Sequence, residues 1–350
     1  MSLSVSGNRL VDGMGNTVFL HGVARGSSAY ACLSRGSVFS GPSDQASVEA
    51  MKRWNINLVW LSINEDCWLG INGAPAIASG ANYRSAIRNY VNLLEDNGIY
   101  AVLDLAWFAP GSYLSNSHEP LPDADHAGAL WSSIASEFAD DRAVSFNLAE
   151  EPQRNPDGSF TLTWSCLYNG GCYATCLKGG DCPAGKSYAA AGIRQLLMTV
   201  RGAEGNGWHH VVWIPGIDSS NTLADRNGSW LADSPADPYQ QKGAYVQFFN
   251  DGAGSCQTLS CWTASWAAVA AQVPLLAGGF GDLTAGGAPA CRWTPILDTF
   301  MSFFDRLGTG GYAPWSWDVA ACSDPSLVTD SDGTPTRYGA GYKAHLATLP

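Results

Sequence analysis

Positive charge is scarce in this sequence, and so is charge of either sign. The 350 residues include 19 Lys and Arg against 31 Asp and Glu, which gives a formal net charge of −12, and only 14% of residues are charged. Proteins that bind nucleic acid contact its phosphates through clustered Lys and Arg, and this sequence has no such cluster. We therefore expect no nucleic-acid partner, and we interpret the acidity as an aid to solubility.

Long apolar runs are missing as well. No stretch approaches the about 20 residues that a helix needs to cross a bilayer, so we expect no membrane-spanning segment. The sequence also lacks a secretory leader, and its start at Met1, Ser2 and Leu3 resembles a mature domain given a new initiator. We expect a monomeric, extracellular scaffold whose signal peptide is not part of this chain.

The 10 cysteines do not form paired Cys-x-x-Cys motifs, and no histidine lies within the densest group, between Cys166 and Cys182. This spacing favours disulfides over a zinc site, and disulfides indicate an oxidising compartment. Cys256 and Cys261 are close enough in sequence to close one loop. Spacing alone does not determine the other pairings.

Eight short apolar, β-rich runs alternate with longer helical patterns. Near-continuous apolar strands are typical of a parallel sheet that is covered on both faces. Eight such strands alternating with helices predict an α/β fold, a (β/α)8 or TIM barrel. The predicted strands are 18–24, 58–63, 100–106, 144–150, 211–217, 244–250, 274–280 and 312–317. The predicted helices include 45–54, 83–97, 127–139, 188–201, 262–272 and 296–307.

No linker or internal repeat divides the chain, and its 46% hydrophobic content is sufficient for one large core. We therefore expect residues 1–350 to form a single disulfide-stabilised barrel domain, with residues 3–17 as an N-terminal hairpin that closes the barrel bottom. The longest irregular stretches, 109–126, 153–185 and 218–241, follow predicted strands. Barrels carry their functional groups on loops at that end.

Two carboxylates follow predicted strand four, in the sequence Asn147-Leu148-Ala149-Glu150-Glu151-Pro152. The C-terminal tip of a barrel strand is where barrel enzymes place catalytic groups. Glu150 and Glu151 are therefore catalytic candidates. The ordinary alternative is that they are solvated loop residues.

The chain resembles glycoside hydrolase family 5, a cellulase-type family, over nearly its whole length. The stretches that carry the resemblance occur in the family's order: Asn64-Glu65-Asp66-Cys67-Trp68-Leu69-Gly70, Leu103-Asp104-Leu105-Ala106-Trp107, Glu150-Glu151-Pro152, 274–281 and Trp315-Ser316-Trp317. The resemblance implies a retaining mechanism, with a glutamate acid/base after strand four and a glutamate nucleophile after strand seven, about 5–5.5 Å apart. Glu151 matches the acid/base, and Trp315 matches the aromatic floor of the sugar site.

Most other positions of the sugar site depart from the family. The amide before the acid/base is replaced by Glu150, and the nucleophile position falls at Gly279. Glycine cannot attack an anomeric carbon, so retaining hydrolysis is expected to be absent or very slow unless Asp218 or Asp282 fills the same space. The other departures are Trp60 for an arginine, Ala106 for a histidine, Ser219 for an aromatic residue, and Tyr245 and Gln247 for a histidine and a tyrosine.

Three hypotheses account for this altered pocket. A β-glucan hydrolase that lacks its nucleophile, as an inactive mutant or a glycosynthase, predicts one change rather than many. A decayed sugar-binding barrel without catalysis predicts scattered changes. We favour an engineered site of the Kemp eliminase type, in which Glu151 or Glu150 is a general base that takes a proton from a small aromatic substrate. An apolar environment raises the pKa of such a carboxyl and strengthens it as a base.

The predicted contacts to an aromatic or oligosaccharide ligand come from residues at strand tips. They are Trp60, Ala106, Trp107, Ser219, Tyr245, Gln247, Gly279, Trp315 and Trp317. No cofactor is implied, and because metal ligands do not cluster in the sequence near the strand tips, no metal site is predicted. Glu65 and Asp66, beside Cys67, are interpreted as loop residues, and Asp104 as a buried hydrogen-bond partner.

Overall fold

Parallel strands close into a barrel in the computed structural model, which describes residues 1–205, 207–250, 256–282, 291–320, 322 and 324–349. The strands are β1 (Ser4–Ser6), β2 (Arg9–Val11), β3 (Thr17–Val18), β4 (Leu20–Arg25), β5 (Leu58–Asn64), β6 (Tyr100–Trp107), β7 (Val144–Asn147), β8 (Tyr173–Thr175), β9 (Ser187–Ala189), β10 (Val212–Pro215), β11 (Ala224–Asp225), β12 (Gly228–Ser229), β13 (Lys242–Phe249), β14 (Leu275–Gly281) and β15 (Gly311–Tyr312). The barrel runs β4-β5-β6-β7-β10-β13-β14-β15 and closes from β15 onto β4. The predicted (β/α)8 barrel is confirmed.

Helices surround the barrel and cover its outer face. They are α1 (Ala31–Ser34), α2 (Gln45–Lys52), α3 (Glu65–Leu69), α4 (Ala81–Asp96), α5 (Ala127–Glu137), α6 (Trp164–Asn169), α7 (Ile193–Ala203), α8 (Trp230–Asp233), α9 (Leu259–Cys261), α10 (Ala267–Ala270), α11 (Pro295–Leu307) and α12 (Arg337–Leu346). Their buried residues recur at helical spacing, as Tyr83, Ile87 and Val91 do in α4, so each long helix packs one apolar stripe against the strands. Within the described part of the chain, no helix combines the length and apolarity needed to cross a membrane.

Some predicted strands end early, as 312–317 does at Tyr312, and three segments differ in type from the prediction. Ser187–Ala189 pairs with β8 as an antiparallel strand, so the helix predicted from residue 188 begins only at Ile193, after Gly192. The helix predicted over 262–272 contains a π-helical turn, Trp262–Trp266, before α10. The N-terminal segment is a three-stranded sheet rather than a hairpin, because β3 pairs with β2 through Leu10 and Val18.

The N-terminal sheet covers the bottom of the barrel. Leu3 and Leu10 are fully buried and pack in one apolar cluster with Leu20, Leu58 and Trp213 from the barrel interior. The backbone N–H of Leu3 also donates to the carbonyl of Arg142 at 2.8 Å. With its lower end closed, the barrel offers its functional groups at the opposite end, where the strands terminate.

Five disulfides join all 10 cysteines, which confirms the prediction of disulfides. Cys256 and Cys261 close one loop, as their spacing indicates. The other pairs are Cys32–Cys67, Cys166–Cys172, Cys176–Cys182 and Cys291–Cys322. Cys32–Cys67 links the segment after β4 to α3, so two neighbouring strand-tip segments are fixed to one another.

Candidate active site

Glu150 and Glu151 lie just beyond β7, the fourth strand of the barrel. The strand ends at Asn147, three residues earlier than predicted, and the backbone N–H of Glu150 donates to the carbonyl of Leu105 at 2.9 Å. Glu150 is buried, whereas Glu151 is half-buried and has a φ of 46°. A left-handed backbone at a non-glycine residue costs of order 1–3 kcal/mol and is found most often at functional sites. The two adjacent carboxylates therefore have distinct environments, with Glu151 nearer to solvent.

Glu150 is paired with Asp104, which lies on β6. Asp104 is fully buried and accepts hydrogen bonds from Trp60 Nε1 at 2.9 Å and from Asn147 Nδ2 at 2.7 Å. Burial, and then the charge of Glu151, raise the pKa of Glu150 to about 8. Burial, and then the charge of Glu150, also raise the pKa of Asp104 well above its ordinary value. Near neutral pH the Asp104–Glu150 pair therefore holds at least one proton, and the two carboxyls are hydrogen-bonded to each other.

The raised pKa of Glu150 predicts a dependence of stability on pH. Its carboxyl keeps a proton in the folded state between its ordinary pKa of 4.5 and about 8, but loses it on unfolding in that range. The stabilising effect of the proton is therefore complete below pH 4.5 and is lost as the pH rises through about 8. We expect Glu150→Gln to become more stable relative to the natural chain between about pH 5 and pH 8.5, by at least about 1 kcal/mol.

Urea unfolding at the two pH values, with disulfides intact, measures this difference. Glu49→Gln, which changes the same carboxylate to an amide on an exposed helix position, is the matched control and should show no such trend. A stability difference between Glu150→Gln and the natural chain that stays constant with pH would contradict the shared proton.

Trp60 and Tyr245 fill the upper interior of the barrel. Both are fully buried, and their rings stack with centroids 5.1 Å apart and planes inclined by 23°. A Cβ atom on Gly278 would overlap the Trp60 ring, so the indole requires glycine there. Ala106 is buried too, at 1% exposure. In this conformation Trp60 and Tyr245 pack against each other, and their predicted contact with a ligand remains a prediction.

Gln247 occupies the space beside Gly279. A Cβ atom built on Gly279 would lie 2.7 Å from Nε2 of Gln247, which is buried on β13. The two carboxylates considered as substitutes each accept a side-chain hydrogen bond: Asp282 from Asn250 Nδ2 at 3.2 Å, and Asp218 from Thr222 Oγ1 at 3.4 Å. Within the described ranges, the side chain of Gln247 therefore lies nearest to the space into which a side chain at position 279 would project.

The half-buried members of the predicted site are Glu151, Trp107, Ser219 and Trp315. Trp315 packs on the cluster that contains Trp60 and Tyr245, and its ring lies where a Cβ atom on Gly26 would be. The N–H of Ser219 donates to the carbonyl of Pro152 at 2.9 Å, which holds the loop after β10 against the β7 tip. These four partly exposed residues end or follow strands at the C-terminal end of the barrel, and we call the region that they mark the strand-tip cleft.

Trp317 lies away from the strand-tip cleft. Its side chain is 5% exposed and packs edge-on against Trp54, with ring centroids 4.9 Å apart. It also lines a cavity of about 330 Å³ together with Arg25 and Asp330. Trp317 therefore has a packing role in the structure, and its predicted contact with a ligand remains a prediction.

Two side chains near the cleft were not predicted from the sequence. His118, in the loop after β6, places Nε2 3.6 Å from a carboxylate oxygen of Glu150. Tyr30 packs against Trp107, with ring centroids 6.0 Å apart. His118 and Tyr30 belong to irregular segments without hydrophobic periodicity. No sequence pattern therefore connects His118 with the tip of β7 or Tyr30 with the tip of β6.

Glu65 and Asp66 are helical rather than loop residues, which corrects the sequence interpretation. They form the first turn of α3, where Oδ1 of Asn64 caps the helix by accepting from the N–H of Cys67 at 2.9 Å. Glu65 is brought beside Asp123 and His126, and potential ligand atoms of these three residues lie within 4.8 Å of one another. The structure thus contains a cluster of potential metal ligands that the sequence analysis did not find.

Comparison with curated proteins connects the chain with cellulases. The family model for Cellulase (glycosyl hydrolase family 5) matches residues 22–319. Endoglucanase CelA of Streptomyces lividans is 22% identical over 276 residues, which cover 77% of this chain and 50% of the relative. The chain therefore spans about half the length of this curated relative.

Solved structures share the fold across nearly the whole chain. β-Glucanase SdGluc5_26A of Saccharophagus degradans, in complex with cellotetraose, has a TM-score of 0.68 at 17% identity, covering 99% of this chain and 93% of that one. The catalytic domain of Thermobifida fusca endoglucanase Cel5A has a TM-score of 0.66 at 14% identity, covering 99% and 97%. At these identities the likeness concerns the fold alone. Because the family model covers most of the sequence, the chain belongs to glycoside hydrolase family 5.

Proposed function

We propose that this protein binds cello-oligosaccharides in the strand-tip cleft and does not hydrolyse them by the retaining mechanism. The observation that carries the proposal is the Gln247 amide beside Gly279, where a retaining enzyme needs a carboxylate. The space that a deleted nucleophile would leave is occupied by Gln247. A glycosynthase needs that space for the leaving group of an activated donor, so this geometry favours binding over synthesis.

The ligand class is supported by relatives and by the residues that remain in the cleft. One relative is a β-glucanase solved with cellotetraose. Trp107 and Trp315 retain partly exposed indoles, which can pack against the apolar faces of sugar rings, and Glu151 offers a carboxylate for sugar hydroxyls. The five disulfides favour an extracellular setting, where such polysaccharide fragments occur.

The alternative hypothesis, an engineered proton-abstraction site, depends on exposed aromatic surface and free space. Trp60 and Tyr245 instead cover each other, and Gln247 lies beside Gly279. Glu150 shares its proton with Asp104, which leaves Glu151 as the candidate general base. The family comparisons favour the sugar-related interpretation, and the general-base hypothesis becomes an outcome of the test below.

Calorimetric titration with cellotetraose tests the proposal. We expect saturable binding to the natural chain, and affinities at least about tenfold weaker for Trp107→Ala and Trp315→Ala, which corresponds to about 1.4 kcal/mol. Trp208→Ala is the matched control, since this indole stacks with Arg142 near the start of β10, at the opposite end of the barrel. The control should bind as the natural chain does.

Three results would overturn the proposal. The first is an absence of cellotetraose binding at millimolar concentration. The second is hydrolysis of an aryl cellobioside that is lost in Glu151→Gln, which would place a working nucleophile elsewhere. The third is elimination of a nitrobenzisoxazole that is lost in Glu151→Gln, which would support the general-base hypothesis instead.

A further inference from the structure

We propose that Glu65, Asp123 and His126 form a binding site for a divalent transition metal such as Zn²⁺. Glu65 begins α3, directly after β5, while Asp123 and His126 end the loop that leads from β6 to α5. Each residue contributes one potential ligand atom, and these atoms lie within 4.8 Å of one another.

The burial of two carboxylates at this place needs compensation. Glu65 and Asp123 are both fully buried. Glu65 faces the carboxyl of Asp123 and the backbone N–H of Ala109, yet no well-formed hydrogen bond reaches either of its oxygens, Oδ2 of Asp123 or Nδ1 of His126. A buried charged group without partners is strongly unfavourable, so the structure favours a cation or a proton at the centre of this cluster.

His126 alone does not neutralise the cluster. Its Nδ1 lies 3.8 Å from Oε1 of Glu65 and 3.6 Å from Oδ1 of Asp123, which are longer than hydrogen bonds. A protonated imidazole balances one carboxylate and leaves the second in need of a proton or of further positive charge. A divalent cation between the three ligand atoms balances both carboxylate charges and gives each of the three side chains a partner.

The ligand types and their support fit a transition metal. An imidazole nitrogen with two carboxylate oxygens suits Zn²⁺ better than Mg²⁺ or Ca²⁺, which prefer oxygen ligands alone. Oδ1 of Asp123 accepts from the backbone N–H groups of Asp125 at 2.9 Å and His126 at 2.8 Å, which fixes this carboxylate. His126 is 22% exposed, so the cluster has a path to solvent.

The bound metal would join α3 to the loop after β6. The same loop carries His118, whose imidazole lies 3.6 Å from Glu150. Asp66 already holds this loop by accepting from the N–H of Ser115 at 2.7 Å. The metal would add a second link between the same two segments and would stabilise the folded state by its binding free energy.

Zinc titration of the chelator-treated, disulfide-intact protein tests the site. We expect about one Zn²⁺ per chain by calorimetry and metal analysis, together with an increase in Tm of several degrees at saturating zinc. Glu65→Gln and His126→Gln should each weaken zinc binding at least about 100-fold or abolish it. Asp125→Asn is the matched control, because it removes the same charge from the same loop at an exposed carboxylate and should retain the site.

Some outcomes overturn the metal proposal. One is failure of the natural chain to bind zinc in tenfold excess. Another is an equal loss of zinc affinity in Asp125→Asn and in the two ligand variants. A third contradicting outcome combines two results. Glu65→Gln is more stable than the natural chain at alkaline pH, and the Tm of neither protein responds to zinc. That result would assign a shared proton, rather than a metal, to Glu65 and Asp123.

Discussion

Gly279→Glu is expected to hydrolyse an aryl cellobioside no faster than about tenfold above the uncatalysed rate, although it restores the family's nucleophile residue. The new side chain begins 2.7 Å from Nε2 of Gln247, so the carboxylate and the amide compete for one space. It would also add a charge to an interior that already holds the Asp104–Glu150 pair. We expect the free energy of unfolding to fall by about 2–4 kcal/mol, as for other overpacked or charged core positions.

A series of variants distinguishes the steric effect of the new side chain at position 279 from the effect of its charge. Gly279→Ala adds the Cβ alone and so measures the steric effect. The double variant Gln247→Ala with Gly279→Glu gives the carboxylate room, and it should recover part of the stability that Gly279→Glu loses. Hydrolysis is measured by release of the aryl leaving group, and stability by denaturant unfolding. If Gly279→Glu alone hydrolyses the substrate rapidly, and Glu151→Gln in that background stops it, the nucleophile was the sole defect and our account is wrong.

Trp60→Ala is expected to lower the free energy of unfolding by about 3–5 kcal/mol, the usual range for a fully buried aromatic residue. The substitution removes the ring that stacks on Tyr245 and the N–H that donates to Asp104 at 2.9 Å. Trp60→Phe keeps much of the ring and loses the donor, and should cost about 1–2 kcal/mol. The difference between the two variants measures the packing contribution.

Gly278 provides an independent check on the same contact. Gly278→Ala should be strongly destabilising in the natural chain, because its Cβ would overlap the Trp60 ring, and nearly neutral in the Trp60→Ala background. Denaturant unfolding of the four proteins gives the coupling energy directly. Additive effects of the two substitutions would show that Trp60 does not pack on Gly278.

The barrel was predictable because its signal is repeated along the chain. Eight apolar runs alternate with helical patterns, and one misassigned run does not change the fold class. Residues 188 and 189 were misassigned because Tyr and Ala fit a helical pattern as well as a strand, and only pairing with β8 decides between them. Cys32 and Cys67 were not paired in advance, since 35 residues separate them and only the fold brings them together.

A feature of the site can be predicted from the sequence only where it depends on one residue and not on that residue's neighbours in the fold. Gly279 lacks a side chain in any structure, so the prediction of a missing nucleophile depends on the sequence and the family resemblance and needs no knowledge of packing. The partners of Trp60 did not follow, because Asp104, Tyr245 and Gly278 lie on three different strands. The Glu65, Asp123 and His126 cluster was missed for the same reason, since it unites the start of a helix with the end of a distant loop.

The contact between Gln247 and Gly279 also imposes an order on any mutational path toward hydrolysis. Glutamate at position 279 is obstructed while Gln247 is present, so a smaller residue at 247 must come first. Trp60 similarly obstructs any side chain at position 278. Selection for hydrolysis starting from this chain would therefore meet sign epistasis, in which the substitution that supplies the chemistry is harmful until a neutral neighbouring change has been fixed.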